Sequence, residues 1–307
     1  MALEFQPLTP VFAAEATGLD LRQPIDAATA ARIEAAMDQY GVLVFRRQNL
    51  DEDQQMAFTR WFGPLDRGFG RVRNNPSRFK TPHLADISNV DFNGDVVPPG
   101  HPKRTGSLAN QLWHSDSSFQ KPSAKFSILT IHSLPSWGGN TEFADMRTAY
   151  DALPERTKNE IKDLVVEHWA LHSRINLLGD DAYSEEQRNA IAPVLWPLVR
   201  LHPSSGRKSL FIGAHTRAIE GMSVPEARIL LGELLEHATQ PRFVYVHEWT
   251  LGDLVMWDNR CTLHRGRRYD LDQKRELRRS TTGDRPLGST EDGDSDESDA
   301  VQERSMA

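Results

Sequence analysis

Residues 241–266, PRFVYVHEWTLGDLVMWDNRCTLHRG, are the stretch that decides the fold class. Valine, tyrosine, phenylalanine and tryptophan are frequent in two short runs on either side of a glycine turn, and such runs predict β-strands over 241–249 and 253–257. Two more strands are predicted close behind them, at about 260–265 and about 275–282. Short strands with only turns between them favour an antiparallel sandwich or jelly roll over a parallel sheet.

The N-terminal region, in contrast to the strand-rich C-terminal region, is predicted to contain helices. Asp26 is a predicted N-cap and Gly41 a predicted C-cap, so a helix is expected between them, followed by a buried strand over 42–45. Asp51, with Gln54 three residues later, predicts the start of a second helix through a capping box. This segment is therefore of mixed helix and strand character.

A helical insert is predicted between the two strand-rich regions. Residues 66–110 are rich in Gly, Pro, Asn and Arg and predict long loops with short strands. A strand is expected over 124–132, and helical segments over roughly 145–168 and 184–191. After the insert we predict strands at 196–202 and 208–213 and a helix capped by Ser223. No Gly-x-Gly-x-x-Gly or Walker A sequence follows a predicted strand, so we predict an α+β fold and not a doubly wound one.

Charge is distributed unevenly along the 307 residues. The net charge is −7, but residues 283–307 hold eight acidic and two basic residues and so carry most of it. This acidic, Ser/Gly-rich segment has few apolar residues and is predicted to be a disordered tail. The remaining residues, 1–282, are predicted to form one domain with almost balanced charge, so nucleic acid is not an expected partner.

The sequence also indicates where in the cell the protein is expected. No run of 18 apolar residues occurs, so no membrane-spanning helix is expected. The N-terminus lacks the basic and apolar regions of a signal peptide, and the single cysteine, Cys261, has no internal disulfide partner. We therefore expect a cytoplasmic protein that does not interact with a membrane.

The first candidate site is Trp113-His114-Ser115-Asp116. In an extended strand, residues two apart point to the same face, so His114 and Asp116 could bind one metal ion. A neutral imidazole and a carboxylate are two parts of the two-histidine, one-carboxylate facial triad that leaves coordination positions open on Fe(II). The alternative is a simple His–Asp hydrogen bond in a loop.

The second candidate is His264, in the segment that runs from Trp257 to Gly266 and is rich in Trp, Asn and Arg. It lies 148 residues after Asp116. A sandwich that brings a late strand beside an early one would place His264 as the third metal ligand. The alternative is a polar strand end with a solvated histidine.

The third candidate is the basic segment around residues 275–281. In a strand, Arg275 and Arg279 share a face and Arg278 lies on the other. Two guanidinium groups that point into a pocket require anions, and guanidinium pairs well with carboxylates, which predicts a dicarboxylate cosubstrate or an acidic substrate. The alternative is an exposed basic edge strand.

Taken together, these motifs resemble the Fe(II)/2-oxoglutarate dioxygenases of the taurine and 2,4-dichlorophenoxyacetate family. The similarity covers about residues 5–282, and the stretches 110–120, 149–154, 206–215 and 252–261 are most similar to the 2,4-dichlorophenoxyacetate branch. The resemblance rests on the order and spacing of Trp113-His114-Ser115-Asp116, Gly138-Gly139-Asn140-Thr141, Trp257-Asp258-Asn259 to His264-Arg265, and Arg275.

The resemblance implies a double-stranded β-helix (jelly roll) core with flanking helices and the helical insert. It also implies three cofactors or cosubstrates, Fe(II), 2-oxoglutarate and O₂, with ascorbate helping to maintain activity. The implied site residues are the iron ligands His114, Asp116 and His264; the 2-oxoglutarate residues Thr141, Trp257, Arg275 and Arg279; and the substrate residues Asn110, His215 and Arg279.

The expected substrate is an aryloxyacetate, cleaved to a phenol and glyoxylate, with succinate and CO₂ as the other products. Another small anionic substrate, such as an aryloxypropionate, a sulfonate, an alkyl sulfate or a natural aromatic acid, stays open within the same chemistry. Two other classes stay open too: a zinc hydrolase, although no His-Glu-x-x-His occurs, and a non-catalytic jelly-roll binding protein. Assembly into a homo-oligomer is also left open.

Overall fold

The computed structural model of the protein describes residues 2–67, 77–189, 191–286 and 289. The described residues contain both helices and strands, which confirms the predicted mixed helix and strand content. Most of the predicted acidic tail lies outside the described residues. The final strand continues to Gly283, and Asp284 Oδ1 lies 3.6 Å from a guanidinium nitrogen of Arg260, so the folded body extends slightly past the predicted boundary at 282.

The two helices near the N-terminus begin where their caps predict them. The Asp26 carboxylate accepts from the Thr29 amide at 2.8 Å, and Asp51 and Gln54 form a reciprocal capping box. Within the described ranges, none of the helices combines the length and apolar character needed to cross a membrane. The helices are α1 Ala27–Tyr40, α2 Glu52–Arg60, α3 Pro102–Ser107, α4 Met146–Asp151, α5 Glu155–Ile161, α6 His172–Leu178, α7 Glu185–Asn189 and α8 Val224–Ala238.

Strands alternate with these helices along the chain. Residues 165–168, predicted as helix, form a strand because they pair with two neighbouring strands in a small sheet. The strand predicted from 241 begins at Val244, after a 3₁₀ turn over Pro241–Phe243. The strands are β1 Glu4–Pro7, β2 Ala14–Thr17, β3 Val42–Phe45, β4 Ala85–Ser88, β5 Ala124–Ser133, β6 Thr141–Asp145, β7 Val165–His168, β8 Val194–Pro197, β9 Val199–Leu201, β10 Lys208–Leu210, β11 Thr216–Ile219, β12 Val244–His247, β13 Leu254–Asp258, β14 Thr262–Gly266 and β15 Glu276–Gly283.

Two antiparallel sheets face each other in the body of the protein. The larger has seven strands in the order β1-β2-β3-β13-β5-β15-β4, in which the β2–β3 pair is parallel, and the smaller has the order β12-β6-β14. Phe143 of β6 and Trp257 of β13 pack against each other across the interface, with ring centroids 5.5 Å apart. Tyr245 and Leu277 belong to the same buried cluster, so one apolar core joins the two sheets.

Candidate active site

His114 and His264 are held side by side by a backbone bridge. The His114 amide donates to the His264 carbonyl at 3.0 Å, and the His264 amide donates back at 2.8 Å. The Asp116 carboxylate lies between the rings: Oδ1 is 3.9 Å from His114 Nε2, and Oδ2 is 3.7 Å from His264 Nε2. All three side chains are buried. The structure therefore brings together the three residues that were predicted as iron ligands.

This geometry differs from the continuous strand from which the pair was predicted. His114 is a single bridge residue, and Asp116 begins a turn in which Ser117 has a φ of 50°. The distances between the imidazole nitrogens and the carboxylate are too long for a hydrogen bond, so the interpretation as a simple His–Asp bond is wrong. His264 is only 6% exposed, so it is not a solvated strand end either.

The donor atoms suit a divalent metal ion. His114 Nδ1 lies 2.7 Å from the Leu112 carbonyl, which only accepts, so Nδ1 carries the proton and Nε2 presents its lone pair. Burial lowers the pKa of both imidazoles, so they are neutral at pH 7. Ligand atoms that bind one ion at about 2.1 Å lie about 3–4 Å apart, close to the spacing here, and all three lie within 4.8 Å of one another.

Arg279 sets the charge of the carboxylate. One of its guanidinium nitrogens donates to Asp116 Oδ1. Burial by itself raises the pKa of Asp116, but the Arg279 guanidinium, the two imidazoles and the hydrogen bond from Ser127 together outweigh it, and the pKa falls to about 2. Asp116 is therefore a carboxylate throughout the neutral range, as a metal ligand must be.

A buried hydrogen-bond network that the sequence did not predict orients Asp116. Asn259 Oδ1 accepts from the Asp116 amide at 3.0 Å and from Trp257 Nε1 at 3.1 Å. Asn259 Nδ2 donates to Ser127 Oγ at 3.0 Å, and that hydroxyl donates to Asp116 Oδ2 at 2.8 Å. Asn259 lies in the segment already singled out for His264. No sequence pattern around Ser127, a serine within a strand, predicted this contact.

Arg275 is a buried cation that, among the described residues, has no carboxylate within ion-pair distance. It is 7% exposed, and its Nε has no hydrogen-bond partner there. One terminal nitrogen donates to the Gly139 carbonyl at 2.7 Å, and the guanidinium lies 5.0 Å from the ring centre of Tyr269. Burial lowers its pKa to about 10, so the side chain stays charged at pH 7. A Cβ on Gly139, whose φ is +80°, would lie 2.8 Å from Arg275 Nε, so this approach requires glycine.

Thr141 begins β6 two residues after Gly139. Its hydroxyl accepts a 3.0 Å hydrogen bond from Trp249 Nε1. An indole nitrogen only donates, so the Thr141 hydroxyl proton remains available for an acceptor. Trp249 was not predicted as a site residue, since its role depends on a contact between residues 108 positions apart.

The basic strand is not at an edge. β15 pairs with β5 on one side and β4 on the other, so the alternative interpretation as an exposed basic edge strand is wrong. Arg279 bonds to the candidate metal ligand Asp116, whereas Arg278 lies over the ring of Phe79 at 5.2 Å.

An open cavity leads to the candidate metal site. The predicted substrate residues Asn110, His215 and Arg279 line it with His114 and Asp116. Thr141, Trp257 and Arg275 are buried and do not line it; Trp257 packs against the His264 ring at 4.6 Å. The cavity is lined by Ala109, Asn110, His114, Asp116, Ser117, Phe119, Ser173, Arg174, Ala214, His215 and Arg279.

Two neutral imidazoles and a carboxylate around an open cavity are the ligand set typical of non-haem Fe(II) oxygenases. A family model described as "Taurine catabolism dioxygenase TauD, TfdA family" matches residues 4–281. The chain belongs to this family, and it is an α-ketoglutarate-dependent (2-oxoglutarate-dependent) dioxygenase.

Individual relatives are similar over nearly their whole length. The chain is 57% identical to the "Alpha-ketoglutarate-dependent 2,4-dichlorophenoxyacetate dioxygenase" of Cupriavidus pinatubonensis, covering 92% of this chain and 99% of that protein. It is 38% identical to the "(S)-phenoxypropionate/alpha-ketoglutarate-dioxygenase" of Sphingobium herbicidovorans, covering 94% and 98%. The crystal structure of AAD-2 in complex with Mn(II) and N-oxalylglycine superposes with a TM-score of 0.85 at 47% identity, covering 94% and 99%.

Proposed function

We propose that this protein hydroxylates the carbon beside the ether oxygen of an aryloxyacetate such as 2,4-dichlorophenoxyacetate. The hydroxylated product is a hemiacetal, which collapses to the phenol and glyoxylate, while 2-oxoglutarate is converted to succinate and CO₂. The observation that carries the proposal is the 57% identity, over 92% of this chain, to a protein named for this substrate. Positive charge is present for two acidic reactants: Arg174 and Arg279 line the cavity, and Arg275 is buried with an unpaired Nε.

His114, Asp116 and His264 would hold the Fe(II). When bound with 2-oxoglutarate, the metal supplies the activation of O₂. The role of the protein is to present two imidazole nitrogens and one carboxylate on one side of the ion, which leaves the other side open to the reactants. The Arg279 guanidinium and the Asn259 amide keep Asp116 ionised and correctly oriented.

Arg275 and Thr141 would hold the distal carboxylate of the cosubstrate 2-oxoglutarate. A buried guanidinium without a counter-ion is unfavourable by itself, and a bound carboxylate would satisfy both its charge and the unpaired Nε. The Thr141 hydroxyl, which already accepts from Trp249, would donate to the same carboxylate. Trp257 would form the wall beside His264, and Arg279 would lie near the C1 carboxylate. Asn110 and His215 would contact the primary substrate.

We also propose that the two facing sheets form a double-stranded β-helix. Support comes from the order of the strands: β5, β13 and β15 are adjacent in the large sheet, while β6, β12 and β14 are adjacent in the small one. The chain therefore passes between the sheets repeatedly as it moves from β5 to β15, which is typical of a jelly roll.

We propose that the Trp249 indole orients the Thr141 hydroxyl by donating a hydrogen bond to it, and a substitution tests this role. Trp249→Phe removes the indole donor but keeps an aromatic ring, so the Thr141 hydroxyl loses the bond that orients its proton. We expect the 2-oxoglutarate KM to rise about threefold to tenfold, the effect of one neutral hydrogen bond. In a Thr141→Val background the same change should have little further effect on that KM. Independent, multiplicative effects of the two substitutions would contradict the orienting role.

The substrate assignment is tested by comparing three compounds under identical Fe(II), ascorbate and 2-oxoglutarate. We expect 2,4-dichlorophenoxyacetate to yield equal amounts of phenol and glyoxylate, and both its primary amide and taurine to yield little product. Loss of the negative charge leaves a cation in the cavity without its partner, which costs a few kcal/mol, so the amide should react about 100-fold more slowly. Turnover of taurine without turnover of the phenoxyacetate would show that the substrate is a sulfonate.

A further inference from the structure

Two polar side chains of the cavity are buried and, among the described residues, lack a hydrogen-bond partner. Ser173 is 1% exposed and His215 is 6% exposed, and both line the cavity that contains His114 and Asp116. The unpaired atoms are Ser173 Oγ and His215 Nδ1. Since buried polar groups are normally hydrogen-bonded, two unpaired groups on one cavity indicate a ligand that bonds to both.

Arg174 brings a positive charge to the same wall. It follows Ser173 near the start of α6 and also lines the cavity. Its side chain lines the cavity together with those of His114 and His215, so its positive charge lies in the same cavity as their rings. A hydroxyl, a neutral imidazole N–H and a guanidinium together are suited to a carboxylate or another small oxyanion.

The positions of the cations identify which reactant this wall receives. Arg174 and Arg279 are the cations among the described lining residues, and Arg279 is bonded to Asp116. Arg275, which pairs with the cosubstrate in the proposed function, is buried and does not line the cavity. The positive charge that Arg174 adds beside Ser173 and His215 therefore favours the anion of the primary substrate.

We infer that Ser173, Arg174 and His215 form the subsite for the acid group of the primary substrate, with Arg174 as its counter-charge. This inference rests on the proposed function and names the recognition group of the same site. In an aryloxyacetate the carboxylate is bonded to the very carbon that is hydroxylated, so its binding group must line the cavity that holds the metal ligands. Phe119, whose ring meets that of His215 edge to face at 5.0 Å, gives the aryl group an apolar wall.

The test uses Arg174→Gln, Arg174→Lys and Ser173→Ala, with Arg228→Gln as the matched control. Arg228 is an exposed arginine of α8 that does not line the cavity. For each protein loaded with Fe(II) and 2-oxoglutarate, the KM of both reactants is measured with 2,4-dichlorophenoxyacetate. The phenoxyacetate Kd is measured without turnover, by calorimetry under nitrogen. The ratio of activity on the acid to activity on its primary amide provides a measurement that does not depend on the fraction of folded protein.

Arg174→Gln should raise the KM and the Kd of the phenoxyacetate about 10- to 100-fold, the effect of one charged hydrogen bond, and leave the 2-oxoglutarate KM within about twofold. The preference for acid over amide should fall by a similar factor. Arg174→Lys should recover most of the affinity, Ser173→Ala should weaken it about fivefold, and Arg228→Gln should match the wild type. A phenoxyacetate Kd and an acid-to-amide ratio within about twofold of wild type in Arg174→Gln would overturn the subsite.

Failure of the proposed substrate gives a different result. If the wild type turns over a sulfonate or a sulfate ester and not the phenoxyacetate, the proposed function is wrong. The same comparison between Arg174→Gln and wild type is then made with that anion. A loss of affinity supports the subsite, and an unchanged Kd overturns it.

Discussion

Replacement of Asp116 by alanine is expected to abolish 2-oxoglutarate-dependent turnover and to weaken Fe(II) binding by more than about 100-fold, since loss of an outer-shell partner alone costs about 10- to 100-fold. The carboxylate is the single anion of the candidate triad, and it also accepts a hydrogen bond from the Arg279 guanidinium. Without it, a bound ion would lose its anionic ligand and Arg279 would lose its carboxylate partner. Anaerobic Fe(II) titration of the purified protein measures the effect without any need for activity.

Two further variants make this result specific. Asp116→Asn keeps the shape and the bond from Ser127 but removes the charge, so it should bind Fe(II) almost as weakly as the alanine variant. Asp163→Ala removes an exposed carboxylate that does not line the cavity and should behave as wild type. Fe(II) affinity within about threefold of wild type in Asp116→Ala would rule out this residue as a ligand.

Arg275→Gln is expected to raise the 2-oxoglutarate KM about 10- to 100-fold, because a charged, two-point hydrogen bond to a carboxylate contributes roughly 1.5–3 kcal/mol. The same variant should not lower the Tm of the protein without bound cosubstrate. In that state the wild-type guanidinium is buried and, among the described residues, has no carboxylate partner, so its removal relieves a cost. A higher KM together with an unchanged or higher Tm is the signature of a residue that serves a ligand.

Arg278→Gln is the matched control for Arg275→Gln, because Arg278 lies only three residues further along the chain but packs over Phe79. Its 2-oxoglutarate KM should stay within about twofold of wild type. If Arg275→Gln also left that KM unchanged, or if it lowered the Tm by several degrees without a change in KM, Arg275 would be a structural residue and the proposed cosubstrate site would be wrong.

The candidate metal ligands were predicted from the order and spacing of motifs that resemble the family, but the structure brings them together by a different route. The spacing of His114 and Asp116 suggested one continuous strand, whereas a backbone bridge to His264 and a turn at Ser117 bring them together. The enzyme class, which was predicted from the resemblance, is confirmed by the family match over residues 4–281, and the cofactors are confirmed by the α-ketoglutarate-dependent relatives and the His-Asp-His group. The individual roles of the site residues stay predictions.

Features that act over three or four residues were determined by the sequence alone. The caps at Asp26, Asp51 and Ser223 are of this kind, because the donor and the acceptor are close neighbours in the chain and no distant residue is needed to form them. The short strands near the C-terminus were also predictable from their local sequence. Residues 165–168, in contrast, form a strand only because they pair with neighbouring strands in the small sheet.

The long-range contacts of the candidate site were decided by the tertiary structure. Asn259 orients Asp116 across 143 residues, Trp249 bonds Thr141 across 108, and Arg174 reaches the cavity from the insert. Contacts between residues so far apart produce no periodic pattern in the sequence, because nothing in the residues on either side of each partner indicates the contact. Folding removes these groups from water. Only in the folded protein does burial of an unpaired hydroxyl, a guanidinium or a shared carboxylate cost free energy, and that cost indicates a ligand.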